Sequence, residues 1–253
     1  MIQLYLYCYN EELIIERTIL HYKKMFPAIQ ITILDNESTD KSAEIAENLG
    51  CTIKTVATDN ILNIFTFHNI RNELWKTSDA DWIIICDMDE YLCMNQTDLN
   101  EEEKSGTTLI KTQGYNMVGN SHSAILDDIK IEEIDQGFKD NHYSKTICFK
   151  RKDIHHMYYG AGGHECFPVG PRVQYSEKTY PLYHFKYLGF EFLFQNYKMN
   201  YNRSHAMRQN GMSLHYNENK DKIKKTMESA RKDAIQLIPL KLIHQTQTTD
   251  NQI

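Results

Sequence analysis

Apolar residues in the first third of this chain come in short runs rather than long helical stripes. Ile2 to Cys8, Ile29 to Leu34, Cys51 to Val56 and Trp82 to Cys86 are runs of strand length, rich in β-branched residues and bounded by polar clusters. That is the pattern of buried strands. Helices are predicted between them, over about 11–25, 40–49 and 66–78. Asn10 is placed as N-cap of the first, which Pro27 ends, and Gly50 closes the second. The order β-α-β-α-β-α-β predicts an α/β fold with a mostly parallel sheet and helices on its faces. Ligands of such sheets bind beyond the carboxyl ends of the strands. Tyr9-Asn10-Glu11, Asp35-Asn36 and Asp87-Met88-Asp89 all fall at those ends.

The second half is less regular. Residues 107–118 and 143–151 read as strands, 119–142 as an irregular acidic insertion, and 155–170, rich in Gly, His and aromatics, as loop. Residues 188–200 predict a helix with apolar positions Phe190, Phe194, Tyr197 and Tyr201. A charged amphipathic helix is expected over 218–238 and a disordered tail over 244–253.

Composition narrows the classes. A chain of 253 residues suffices for one large α/β domain. With 28 Lys+Arg against 34 Asp+Glu there is no basic excess to mark a nucleic-acid binder. The six cysteines include no C-x-x-C pair, which argues against zinc and redox motifs and for a reducing compartment. The first residues lack a signal-peptide pattern and no apolar run is long enough to span a bilayer, so a cytoplasmic location is expected. Membrane association through Lys220, Lys222, Lys224 and Lys225 is left open rather than expected.

The candidate chemistry centres on Asp87-Met88-Asp89-Glu90. Carboxylates at i and i+2 share one side of an extended chain. At a strand end they can hold Mn²⁺ or Mg²⁺, with phosphate oxygens and water filling the other positions.

Tyr9-Asn10-Glu11-Glu12, Asp35-Asn36-Glu37-Ser38-Thr39-Asp40 and Asp87-Met88-Asp89 together resemble the nucleotide-sugar half of family 2-like glycosyltransferases of the GT-A (Rossmann-like) fold. Asp-Glu-Tyr-Leu at 89–92 and His184-Phe185-Lys186-Tyr187 resemble a subgroup with an Asp-x-Asp-Glu strand end. Glu37 departs from the family's common Gly. The resemblance implies a single catalytic domain over 1–216, with a nucleotide-sugar half over 1–92 and an acceptor half over 107–216. A C-terminal helical segment and tail would follow over 217–253.

By the same resemblance Tyr9, Asn10, Glu11, Asp35, Arg71 and Asp87 would bind the nucleotide. Asp87, Asp89 and His184 would hold the metal. Glu165, in Gly162-Gly163-His164-Glu165, would be the catalytic base and His164 a second catalytic group; Glu191 and Asp153 are poorer bases. Arg203, Arg208 and His215-Tyr216 could fold over the diphosphate, and His155-His156 is a weak zinc pair. The implied activity is metal-dependent, inverting transfer of a hexose from a nucleoside-diphosphate sugar, foremost a UDP-sugar, to a glycan hydroxyl. Retention is left open. A degenerate carbohydrate-binding or scaffolding module is the main alternative. A sugar-phosphate nucleotidyltransferase fits less well, because Tyr9-Asn10-Glu11-Glu12 is no Gly-rich phosphate loop.

Overall fold

The computed structural model describes residues 1–119, 130–217 and 219–245. Its centre is a sheet whose first four strands are parallel: β1 (Ile2–Cys8), β2 (Ile29–Asp35), β3 (Thr52–Thr55) and β4 (Trp82–Asp87). They lie in the order β3-β2-β1-β4, with Ile2 opposite both Ile29 and Trp82. Strand alternation sends Leu4, Leu6, Ile84 and Cys86 into one core and Tyr5, Ile83 and Ile85 into the other. Both faces are therefore apolar, as parallel strands require. Helix α1 (Ile15–Met25) covers the first face through Ile15, Ile19 and Tyr22, with α2 (Ser42–Asn48) beside it. Helix α3 (Ile64–Glu73) and a 3-10 turn carrying Trp75 cover the second.

Two sequence expectations shift here. Asn10 is not an N-cap, because α1 begins after Ile14 without a side-chain cap. Asn10 instead adopts a left-handed conformation (φ 53°), and its Oδ1 accepts from the Thr39 backbone N–H at 2.7 Å. The helix expected over 66–78 starts at Ile64, where the Asn63 side chain accepts from Phe65 and Thr66 N–H.

After β4 the chain turns back as β5 (Glu90–Leu92) and continues into α4 (Gln96–Ser105). Strands β6 (Leu109–Val118), β7 (Gln136–Lys139), β8 (Cys148–Lys150) and β9 (Tyr175–Tyr187) extend the sheet; β4–β8 and β6–β7 pair antiparallel, whereas the long β6–β9 pairing is parallel. The 143–151 strand is thus shorter than expected, and part of the 119–142 insertion is β7. β9 runs parallel to β6 and antiparallel to β5, setting His184 level with both Asn116 and Glu90.

Helix α5 (Phe190–Arg203) packs Phe190, Phe194 and Tyr197 against Ile223, Met227 and Ala230 of a later helix. Short α6 (His205–Gln209) and α7 (Lys220–Asp233) follow. The 218–238 helix ends at Asp233; β10 (Ile235–Gln236) and α8 (Leu240–Gln245) complete the chain. Leu240 of α8 joins the main core, so the expected tail is ordered through 245. Residues 246–253 lie outside the described residues.

Candidate active site

A cleft of about 520 Å³ opens at the carboxyl ends of β1 and β4. Tyr9, Glu11, Arg71, Asp87, Asp89, His164 and His184 all line it, as does Arg203. The strand-end motif and the later His-bearing strand therefore meet in one place.

β5 is the local reason. By folding back onto β9, it brings the Asp89 carbonyl within 2.9 Å of the Phe185 N–H. The Asp89 carboxylate then stands 3.0 Å from His184 Nε2. Asn116 Nδ2 donates to Asp140 at 2.8 Å, so its Oδ1 faces His184 Nδ1 at 2.6 Å. A carboxamide oxygen only accepts, so Nδ1 must carry the hydrogen. In the neutral ring the Nε2 lone pair is then directed at a carboxylate. Two electron-pair donors facing one another call for a proton or a cation between them. Burial pushes the Asp89 carboxyl up, but His184 outweighs it and holds the group below its ordinary value.

Asp87 is differently engaged. Arg71 Nη2 donates to one oxygen and Lys145 Nζ to the other, each at 2.8 Å. Burial alone would raise this carboxyl; Lys145 and Arg71 drive it well below the usual range. Lys145 is 1% exposed and also lies 2.5 Å from Glu90 Oε1. That contact is close but poorly aligned, since Glu90 Oε1 makes no hydrogen bond among the described residues. Burial lowers the Lys145 ammonium, but Asp87 and Glu90 hold it above its ordinary value. The expected trio of metal ligands is thus not assembled: no group of three His, Cys, Asp or Glu poised for a metal occurs among the described residues. Asp89 and His184 are the two whose electron pairs face one another in the cleft.

Arg71 is 4% exposed, and its guanidinium lies 4.8 Å from the centre of the Tyr7 ring. Its Nη1 has no hydrogen-bond partner among the described residues. A Cβ on Gly163 would come within 2.6 Å of that nitrogen, so glycine is what allows the close approach.

The other expected residues divide. Glu11 lines the cleft; burial pushes its carboxyl well up, and Asp89, Asp40 and Asp87 add to the shift. Tyr9 lies under the Arg203 guanidinium, 3.3 Å from ring centre to Cζ. Asp35 stays out of the lining: it is 7% exposed and accepts from the Ser38 N–H at 3.3 Å. Glu37, where the family commonly has Gly, holds φ 63° and accepts from the Thr58 and Asn60 N–H groups at 2.9 and 3.1 Å.

Glu165 is exposed and lies outside the lining, whereas His164 is inside it. His164 Nδ1 donates to the His142 carbonyl at 2.8 Å, leaving its Nε2 lone pair free, and the two rings stack at 3.7 Å. Burial lowers this imidazole to about 4, with Lys145 adding to the effect. Asp153 and Glu191 are also absent from the lining.

Tyr216 lines the cleft; Arg208 does not, and stacks on Tyr201. The side chain of His215 lies outside the described residues. His156 stacks on Tyr158 and bonds Lys76, not a metal set with His155. Lys220 and Lys224 lie over Phe194 and Phe190. No helix among the described residues is long and apolar enough to cross a membrane.

Sequence reasoning missed Lys145 and Asn116. A buried lysine has no local signature, and Asn116 acquires its role only through the β6–β9 register. Helix α4 was missed as well, although the Asn95–Asp98 capping box marks its start.

Comparison with known proteins agrees with the strand-end motifs. Protein RfbJ of Shigella flexneri is 31% identical over 83 residues, which span 33% of this chain and 60% of that protein. Among solved structures, S. aureus TarS 1-349 in complex with UDP-GlcNAc is 13% identical, with a TM-score of 0.43 over 89% of this chain and 70% of that one. The mannosyltransferase PcManGT from Pyrobaculum calidifontis, in complex with GDP-Man and Mn²⁺, is 11% identical, with a TM-score of 0.34 over 44% and 34%. Scores at this level carry no functional argument. The family model of glycosyl transferase family 2 matches residues 5–95, the stretch that runs from β1 past the Asp-x-Asp-Glu strand end.

Proposed function

We propose that this protein is a metal-dependent glycosyltransferase that moves a sugar from a nucleoside-diphosphate donor, foremost a UDP-sugar, to a hydroxyl of a glycan. The observation that carries the reading is the Asp89–His184 pair in the cleft, with the Nε2 lone pair turned toward the carboxylate by Asn116. These two residues would hold the cation. An imidazole nitrogen in the set suits Mn²⁺ better than Mg²⁺. When bound, such a cation offsets the charge that develops on a departing nucleoside diphosphate.

The chain's own residues supply the rest. Arg71 offers a buried donor without a partner. A donor left that way costs about 1–3 kcal/mol, which a ligand oxygen would recover. Asp87, pinned between Arg71 and Lys145, fixes both cations at the cleft floor. Tyr9, Glu11 and the Tyr9-stacked Arg203 form the wall where the nucleoside would lie.

For an inverting step, one group must take the proton of the attacking hydroxyl. His164, which lines the cleft, is our candidate for this role through Nε2, ahead of the exposed Glu165. The depressed basicity of His164 keeps the ring neutral at pH 7, and an anionic diphosphate nearby would raise that basicity.

Thermal unfolding with UDP, GDP and their sugars, with and without Mn²⁺, tests the reading. One nucleotide should raise the melting temperature only when metal is present. Asp89→Ala and His184→Ala should abolish that rise. If no nucleotide stabilises the wild-type protein in any metal condition, the transferase reading fails. A binding module without transfer is then the better account, and full engagement of Asp87 by two cations is what favours it.

A further inference from the structure

The cleft does not account for a second cavity, of about 370 Å³, on the adjoining face of α3. Its size falls within the range of about 300–1,000 Å³ usual for small-molecule sites. His68 lines both cavities, so they meet at that residue. We propose that this cavity is an acceptor subsite, binding a neutral sugar residue of a glycan whose reacting hydroxyl lies in the cleft; the proposal rests on the transferase reading.

The aromatic wall is the first ground. Tyr158 is 54% exposed and holds φ 45°, a conformation that side-chain-bearing residues rarely adopt. Asn72 fixes the backbone beside it, accepting from the Tyr159 N–H at 2.8 Å and donating to the Tyr159 carbonyl at 3.2 Å. The His156 ring lies nearly parallel to the Tyr158 ring, at 5.1 Å and 16°. Flat, solvent-facing rings suit the C–H face of a pyranose, which is apolar although its edge is not.

The polar rim is the second ground. Asn69 and Glu73 sit four residues apart on α3 and so share a face. The Lys76 ammonium lies 2.6 Å from Glu73 and donates to His156 Nδ1 at 3.1 Å. In the neutral His156 ring the hydrogen then sits on Nε2, as a donor. The one ammonium is matched by one carboxylate, so the lining offers donors and acceptors without net charge. That balance fits vicinal hydroxyls and disfavours a phosphate.

Ligand-observed NMR titration of the full chain with cello-, malto-, chito- and mannotetraose, in the presence of UDP and Mn²⁺, tests the proposal. At least one tetrasaccharide should bind. Tyr158→Gly, which also relieves the positive φ and so favours the fold, should weaken binding about fivefold or more, as should Asn69→Ala. Tyr158→Phe should retain it. Stabilisation by nucleotide and metal should be unchanged in all three variants, because both residues stand outside the nucleotide cleft. Absence of nucleotide stabilisation in the wild type would strike at the transferase reading instead. The subsite is overturned if no tetrasaccharide binds the wild type, or if Tyr158→Gly and Asn69→Ala bind as the wild type does.

Discussion

His21 and His184 are both buried histidines with a partner at each ring nitrogen, yet the partners differ in kind. His21 Nε2 donates to the Leu92 carbonyl at 3.1 Å, which leaves Nδ1 to accept from His244 Nε2 at 2.9 Å. Every hydrogen-bonding position of His21 is satisfied by a complementary protein group, and its neighbours are the rings of Tyr22, Tyr91 and His244. His184 also has one nitrogen fixed by a partner, but the other faces a carboxylate rather than a donor. The difference teaches that burial alone does not tell the two apart; a lone pair facing a negative charge does.

The largest effect expected from breaking this contrast is at Asp89. Asp89→Ala should lower transfer by about 10³-fold, since losing a metal ligand forfeits several kcal/mol of charge stabilisation. Single-turnover assays with the donor identified by the melting panel would measure it, and near-normal turnover would remove Asp89 from the site. Next comes His164→Ala, expected to cost about a hundredfold or more in kcat if the ring takes the acceptor proton, with Glu165→Ala close to wild type. The reverse ranking would return the base to Glu165.

Asn116→Leu probes what sets the His184 tautomer. It should weaken Mn²⁺ binding by about 10- to 100-fold, the usual cost of losing the partner that orients a ligand. Unchanged Mn²⁺ titration would show that Asn116 does not orient the ring.

The smallest effect on activity belongs to the other histidine. His244→Leu should cost about 1–3 kcal/mol of stability through the stranded His21 acceptor, without altering nucleotide binding. Burial lowers His21 to about 3, with His244 adding to it, and burial with Lys24 lowers His244 to about 4. Between those values and the ordinary 6.5, the unfolded chain binds more protons than the folded one. This contribution is therefore complete above about pH 6.5 and is lost as pH falls toward 4 and 3. Chemical denaturation at pH 7.5 and pH 5 should show a shallower acid loss in His244→Leu than in wild type; equal slopes would refute the assignment.

The same contrast explains what the sequence could reveal. Asp87 was legible as the end of an apolar strand; Asp89 was expected on the same extended strand but sits in the turn at 88–89 that leads into β5, and reaches the cleft through that turn. β1, β2 and β4 were legible because their apolar runs are buried on both faces. His184 was legible only as a residue on a strand-like stretch. The His21–His244 contact spans 223 positions and leaves no local trace. Asp35 does not line the cleft, and in sequence a carboxylate before a turn looks the same whether it faces a ligand or accepts from the Ser38 N–H. Glu165 is exposed and outside the cleft lining; after Gly162-Gly163-His164 the sequence does not state the direction of a loop side chain.

Lys145 carries one further consequence. It lies far outside residues 5–95, yet it neutralises the Asp87 carboxylate within them. The matched segment is therefore not a portable module. A chimera that grafts a different second half onto this β1–β4 sheet would leave Asp87 paired with Arg71 alone and Glu90 without its ion-pair partner, unless a lysine is restored at the same depth.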